Sequence, residues 1–306
     1  MHLKHFTLLD KLRRMNRLGD LTAAAVALLP ATVVLGLFNV YPILYSVYLS
    51  LLDWDGLSPE RTWVGVQNYV DLFHSRIFWN SLKVTVYYVT GITALGLAAG
   101  LLIALLLNAR IRGTSFYRAI YFTPVMVSTV AAGVVWRYML DPGWGYVNVA
   151  LRALHVRGPS WLTSPVWAMP AMILVGVWRR SGFNMVIFSA GLQGIPREYY
   201  EAAQIDGAGA WQQFRYVTLP LIAPVTLLSA IMSVIDSFLM FDQVYVLTGG
   251  GPLRSTELIG YRLYQEAFRY AHTGVASAIA LVILLIVLSI TLVQYRFFGV
   301  GWQSER

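Results

Sequence analysis

The sequence predicts an all-helical integral membrane protein with six transmembrane helices, and three properties of the chain support this fold class. Of its 306 residues, 57% are hydrophobic and only 12% are charged, whereas a soluble domain carries about 25% charged residues. The mean hydropathy is +0.59. Several apolar stretches also approach the roughly 20 residues that a helix needs to cross a hydrocarbon core of about 30 Å. The lipid bilayer is therefore the expected solvent for most of the chain.

The apolar stretches are too long and too continuous for a β-barrel, whose strands are alternating segments of about ten residues. Polar or Gly/Pro-containing connections separate them. The first stretch is too long for a signal-peptide core and lacks a small-residue cleavage site, so it is interpreted as a retained span. Prolines in or near the spans predict bent helices. The six predicted spans are 21–51, 80–107, 119–140, 164–193, 219–247 and 271–295.

Lysine and arginine predict the orientation of the six spans. With both termini in the cytoplasm, the cytoplasmic pieces contain 12 Lys and Arg in 67 residues and the outer pieces 7 in 72. The positive-inside rule favours this arrangement. The predicted organisation is a cytoplasmic N-terminal segment (1–20), a transmembrane domain (21–298) and a cytoplasmic tail (299–306).

The predicted cytoplasmic connection 194–218 is much longer than a helical hairpin needs, and it has a pattern of its own. Pro196 is suited to the first position of a short helix, and Gly207 to a left-handed C-terminal cap. A second short helix follows, with an apolar stripe at helical spacing formed by Trp211, Phe214 and Val217. These features predict a docking element for a soluble partner. The alternative is an interfacial helix that lies on lipid headgroups.

The same connection contains a specific motif. The stretch EAAQIDGAGAWQQFRYVTLP (201–220) resembles the EAA signature of binding-protein-dependent import permeases, in which Glu-Ala-Ala is followed after three residues by Gly and after nine more by Ile-x-Leu-Pro. Only Val217, at the Ile position, departs from it. Similarity to the sugar-type members of this family extends over most of the chain, through DWDG (53–56), VGVQNY (64–69), LQGIPREYYEAAQIDGA around the connection and FDQVYVLTGGGP (241–252).

The resemblance implies a type I ABC importer permease fold in a bacterial inner membrane, and half of a pore for a sugar or oligosaccharide. The implied partners are a second, homologous permease, two ATP-binding-cassette ATPase subunits and an extracytoplasmic binding protein. ATP and Mg would be bound by the ATPase subunits, because this chain has no phosphate-binding Gly-x4-Gly-Lys-Ser/Thr motif. No cofactor and no enzymatic activity are expected on this chain. The residues implied to couple the permease to the ATPase are Glu201, Ala202, Ala203, Asp206 and Gly207.

Ionisable residues inside predicted spans indicate where a substrate passes, because charges at membrane depth are costly. Arg179 and Arg180 interrupt the fourth span, and Asp236 lies in the fifth. Ser233, Asp236, Ser237 and Met240 have the spacing of one helical face. An interhelical ion pair between Arg180 and Asp236 is an equally good explanation of these charges. By its spacing from the EAA motif, the resemblance implies a substrate path lined by Arg179, Arg180, Phe183, Asn184, Ser233, Asp236, Ser237 and Met240.

Other classes of function fit the sequence less well. The net charge of +8 is spread over short connections that face lipid headgroups, not over a nucleic-acid-binding surface. The chain has no cysteine, and neither a metal site nor a catalytic triad is recognisable in it. The alternatives that stay open are a glycerol-3-phosphate-type importer permease, for which the two arginines would suit a phosphate, and a secondary transporter, which should contain an internal repeat. A membrane-embedded enzyme is a third.

Overall fold

The computed structural model describes residues 23–108 and 113–299, with side chains described as far as Arg296. The predicted segment 1–20 lies outside the described residues, as does the predicted tail 299–306 apart from the backbone of Gly299. The helices in chain order are α1 (Ala23–Leu49), α2 (Gln67–His74), α3 (Arg76–Asn108), α4 (Thr114–Met126), α5 (Thr129–Met139), α6 (Tyr146–Ala153), α7 (Ala168–Gln193), α8 (Arg197–Ile205), α9 (Ala210–Leu221), α10 (Ala223–Phe238), α11 (Asp242–Leu247), α12 (Ile259–Tyr264, continued by a π-helical turn over Gln265–Arg269) and α13 (Thr273–Gly299).

The described residues contain four helices that can each cross a membrane and two bent pairs of helices, which bring the number of crossings to six when each pair is counted as one span. Helices α1, α3, α7 and α13 are each long and apolar enough to cross alone. Each of the other two crossings consists of two helices joined at a bend. Helices α4 and α5 meet at 98°, and helices α9 and α10 meet at 63°. Pro124 lies in the last turn of α4, and Pro224 in the first turn of α10. Since proline has no N–H to donate, Pro124 removes one hydrogen bond near the end of α4, and Pro224 can begin α10 but does not allow α9 to continue into it. The predicted six-span fold with bent helices is therefore confirmed.

The fifth span differs from its prediction. A continuous run was predicted over 219–247, but α10 ends at Phe238 and α11 begins at Asp242. Phe241, between them, has an extended φ of −134°. Hydropathy shows whether a segment is apolar, not whether its helix is continuous. The break between α10 and α11 therefore could not be predicted from the apolar sequence of residues 219–247. The ends of the other spans lie within two helical turns of their predicted positions.

A small β-ribbon interrupts the helical structure between α1 and α2. Strand β1 (Leu52–Asp53) pairs antiparallel with β2 (Thr62–Trp63). In the turn, Asp55 accepts hydrogen bonds of 2.8 Å from the backbone N–H groups of Ser58 and Leu57. The bond from Ser58 has the largest effect on the pKa of Asp55. Together the two bonds lower this pKa below its usual value, because they favour the charged carboxylate.

Helix α7 is at the centre of the bundle, where it packs mainly against α3 and also against α4. The α3–α7 contact is close because glycines of α3 face α7. A Cβ added at Gly100 would lie 2.4 Å from the Cβ of Asn184 and 3.1 Å from the backbone of α7. Buried side chains fill the space above and below this contact.

Gly100→Ala is expected to destabilise the chain, because the added methyl group can be accommodated only if α3 and α7 move apart. Overpacking of this kind costs about 1–3 kcal/mol. The matched control is Gly36→Ala in α1, since a Cβ at Gly36 meets no atom within 4 Å. Thermal unfolding of the purified chain in detergent should show a lower midpoint for Gly100→Ala and an unchanged one for Gly36→Ala. Equal midpoints for the two variants would contradict the close helix contact.

Candidate functional site

The connection between α7 and α10 is a helix–turn–helix, here called the coupling segment (residues 194–218). Helix α8 ends at Ile205, and the N–H of Gly207 donates to the carbonyl of Gln204 at 3.0 Å. The N–H of Ala208 donates to the carbonyl of Ala203 at 2.8 Å. Gly207 has a φ of +80°, so the predicted left-handed cap is present. The prediction for Pro196 was off by one residue, because it precedes the helix in an extended conformation.

The residues of the EAA motif lie on the surface of the coupling segment. Glu201, Ala202, Asp206 and Gly207 are exposed, and Ala203 is half-buried. Two large apolar side chains, Ile205 at 87% and Trp211 at 72% of full exposure, flank the turn. The predicted apolar stripe is exposed only at Trp211, because Phe214 and Val217 are half-buried.

The coupling segment is attached firmly to the ends of α7 and α10. The hydroxyl groups of Tyr200 in α8 and Thr218 in α9 are hydrogen-bonded at 3.0 Å. Tyr200 also packs against a buried cluster that contains Leu192 at the end of α7 and Ile222 before α10. A displacement of the coupling segment is therefore transmitted to α7 and α10, since a closely packed protein interior is hardly compressible.

A second group of polar side chains lies at membrane depth between α7, α10 and the α4–α5 bend; we call it the central polar layer. Arg180 forms an ion pair with Asp236, and its guanidinium lies 5.2 Å from the ring centre of Phe183. The Arg180 side chain is 13% exposed and that of Asp236 is 56% exposed. Arg179 donates a hydrogen bond to Thr129 Oγ1, at the first residue of α5. Two side-chain nitrogens of Arg180, Nε and Nη2, are buried without a hydrogen-bond partner among the described residues.

Of the other predicted residues, Asn184 of α7 and Ser233 and Ser237 of α10 are buried. Asn184 is fully buried, and its Oδ1 accepts a hydrogen bond of 2.8 Å from Ser229 Oγ. Ser233 and Ser237 are buried too, and Ser237 Oγ donates to the carbonyl of Ser233 at 2.6 Å. Met240 is half-buried against the core.

Ser233, Asp236 and Ser237 all lie in α10 with the spacing of one helical face. Within that face Asp236 is exposed, whereas Ser233 and Ser237 are buried. A role for the eight residues in the substrate path stays a prediction. Only Asp236 is exposed among them, and its partner Arg180 is largely buried.

The structure adds residues that the sequence did not single out. Thr129 follows the α4–α5 break and contacts Arg179. Tyr88 of α3 donates a hydrogen bond of 3.1 Å to Oε1 of Gln243, whose Nε2 donates to the carbonyl of Met172 at 2.8 Å. Gln243 could have been identified from the sequence, because it is a polar residue in the FDQVYVLTGGGP stretch near an apolar span. Thr129 could not, since threonine is common in membrane helices.

Comparison with known proteins places the chain in one family. Residues 96–298 match the model of the binding-protein-dependent transport system inner membrane component. A probable ABC transporter permease of Pyrococcus horikoshii is 35% identical over 91% of this chain and 96% of its own. The trehalose/maltose transport system permease protein MalF of Thermococcus litoralis is 36% identical over 88% of this chain and 91% of its own. The fold is similar, with a TM-score of 0.79, 23% identity and coverage of 96% and 100%, to a chain in the crystal structure of a bacterial ABC transporter involved in the import of the acidic polysaccharide alginate.

Proposed function

The chain belongs to the family of binding-protein-dependent transport system inner membrane components, and from this premise we propose that it forms half of the pore for an uncharged sugar or oligosaccharide. It is the permease of an ABC importer in the inner membrane and not itself an enzyme. A secondary transporter, one of the alternatives open from the sequence, is thereby excluded. One relative is named for trehalose and maltose, which are neutral disaccharides.

The observation that carries the choice of an uncharged substrate is that both arginines of the central polar layer already have partners within the chain. Arg180 is paired with Asp236, and Arg179 donates a hydrogen bond to Thr129 Oγ1. A phosphorylated substrate requires an excess of positive charge, usually from arginines free to bind in bidentate fashion. A neutral sugar requires polar groups beside an aromatic ring, which Arg180, Asp236 and Phe183 supply.

The partners follow from the coupling segment. Its exposed EAA residues, flanked by Ile205 and Trp211, form a polar surface with two apolar anchors, as protein interfaces have. We infer that an ATPase subunit binds there, that two such subunits hold the ATP and Mg, and that a second permease completes the pore. The coupling segment and both termini then lie in the cytoplasm, and an extracytoplasmic binding protein delivers the sugar to the opposite side.

Deletion of the chain from its host should abolish uptake of a neutral di- or oligosaccharide and leave uptake of glycerol-3-phosphate unchanged. The measurement is uptake of radiolabelled sugars and glycerol-3-phosphate by deleted and complemented cells. Complementation with the intact chain should restore the lost uptake. Loss of glycerol-3-phosphate uptake alone would overturn the choice of an uncharged substrate and favour the phosphate alternative.

A further inference from the structure

The connection between α5 and α7 exposes a patch of apolar side chains at the end of α7 opposite the coupling segment. Helix α6 lies in this connection, and we call the patch the α6 surface. Its most exposed members include Tyr146 at 74% and Leu154 at 73% of full exposure. The α6 surface consists of Trp144, Tyr146, Val149, Leu154 and Val156.

The α6 surface is held in place by buried polar contacts beneath it. The amide of Asn148, which is 2% exposed, donates to the carbonyls of Pro142 and Pro159 at 3.1 and 3.2 Å. Its Oδ1 accepts a hydrogen bond of 2.7 Å from Trp161 Nε1. Asp141 Oδ1 accepts two more from the backbone N–H groups of Gly143 and Trp144. The exposed apolar side chains therefore belong to a fixed element and not to a loose loop.

The α6 surface is continuous with a membrane-crossing helix. The ring of Trp144 packs against the ring of Tyr138, in the last turn of α5, with 5.5 Å between the ring centres. Tyrosine and tryptophan are enriched where a helix leaves the hydrocarbon core, because their rings have an apolar body and a polar edge. The Tyr138–Trp144 contact is the arrangement expected of a helix at the level of the lipid headgroups.

Charge indicates what covers the surface. Residues 141–167 contain two arginines, Arg152 and Arg157, and one acidic residue, Asp141. Both arginines are exposed, and Arg152 also donates a hydrogen bond of 2.8 Å to the carbonyl of Gly143. An amphipathic helix with an apolar face and nearby basic residues binds anionic lipid surfaces. We propose that the α6 surface is a docking site for anionic phospholipid headgroups in the leaflet opposite the coupling segment. Contact with these lipids fixes α6, and through the Tyr138–Trp144 stack it fixes the end of the bent α4–α5 span.

The test uses the absence of cysteine from the chain, which permits a single fluorescent label. Leu154→Cys carries the label on the α6 surface. Leu253→Cys is the matched control, because Leu253 is an exposed leucine on the same side of the bundle, at 88% of full exposure. It lies in the connection 249–258, which contains no aromatic residue. The assembled importer, labelled at one of these positions, is placed in phosphatidylcholine vesicles with and without phosphatidylglycerol. Some of the phosphatidylcholine carries a quenching spin label near its headgroup.

We expect strong quenching at position 154 and little at position 253. Phosphatidylglycerol should increase the quenching at 154, and Arg152→Gln/Arg157→Gln should remove that increase, since each basic residue changes binding to an anionic surface roughly fivefold. No quenching at 154 would overturn the proposal. Equal quenching with and without phosphatidylglycerol would show that the α6 surface binds lipid without a preference for anionic headgroups, and would overturn that part of the proposal. Protection of the label from water only after a binding protein is added, without quenching by lipid, would identify a protein-docking surface instead.

Discussion

Gly207→Val is expected to reduce sugar uptake at least fivefold while the chain still reaches the membrane. Gly207 has a φ of +80°, which a β-branched residue adopts only with strain. That strain is about 1–2 kcal/mol, so the equilibrium constant for forming the docking-competent turn falls roughly 5- to 30-fold. A Cβ at Gly207 meets no atom within 4 Å. The effect therefore comes from the backbone of the turn, which sets the relative positions of Ile205 and Trp211, and not from a collision.

The measurement has three readouts: sugar uptake, the amount of the chain in the membrane, and co-purification of an ATPase subunit with the tagged chain. Gly209→Ala is the matched control, because Gly209 lies in the same turn with a φ of −72° that alanine adopts freely. Gly207→Asn should be milder than Gly207→Val, since asparagine tolerates the left-handed region. Normal uptake and normal ATPase recovery by Gly207→Val would rule out coupling through this turn.

The coupling segment was the part of the molecule best predicted from sequence, and the reason is that its signals are local. Glycine after a run of helix formers marks a left-handed cap whatever the rest of the fold does, and Gly207 has that conformation. Exposure of the EAA residues follows from the position of the turn outside the apolar runs. The half-buried state of Phe214 could not be predicted, because it depends on tertiary packing and not on helical spacing.

The six spans were predictable for a similar reason, since each apolar run has the length that the bilayer demands. The interior of the bundle was not. Which side of α10 faces outward depends on how α3, α7 and α13 pack around it, and the spacing of Ser233, Asp236 and Ser237 is compatible with several rotations of the helix. The sequence could place Arg180 and Asp236 at similar depth, but their pairing required the structure.

The ion pair between Arg180 and Asp236 can be assigned to structure or to transport by a double-mutant experiment. Asp236→Ala should lower the amount of folded chain, because the largely buried Arg180 then loses its charged acceptor. Removal of one partner from a fully buried pair costs about 3–5 kcal/mol, and the partial exposure of Asp236 reduces the expected cost to about 1–3 kcal/mol. Asp236→Asn should be milder, since its amide oxygen still accepts a hydrogen bond.

The decisive variant is Arg180→Gln/Asp236→Asn, in which both partners are neutral and can still hydrogen-bond to each other. We expect it to recover the wild-type amount of folded chain, measured by thermal unfolding and by its level in the membrane, because no buried charge is left unpaired. Uptake should stay at least about tenfold below wild type, since the loss of hydrogen bonds from charged groups to a sugar costs about 1.5–3 kcal/mol. Recovery of both stability and uptake would show that the pair only holds α7 against α10. Recovery of stability alone would place Arg180 and Asp236 on the path that the sugar takes.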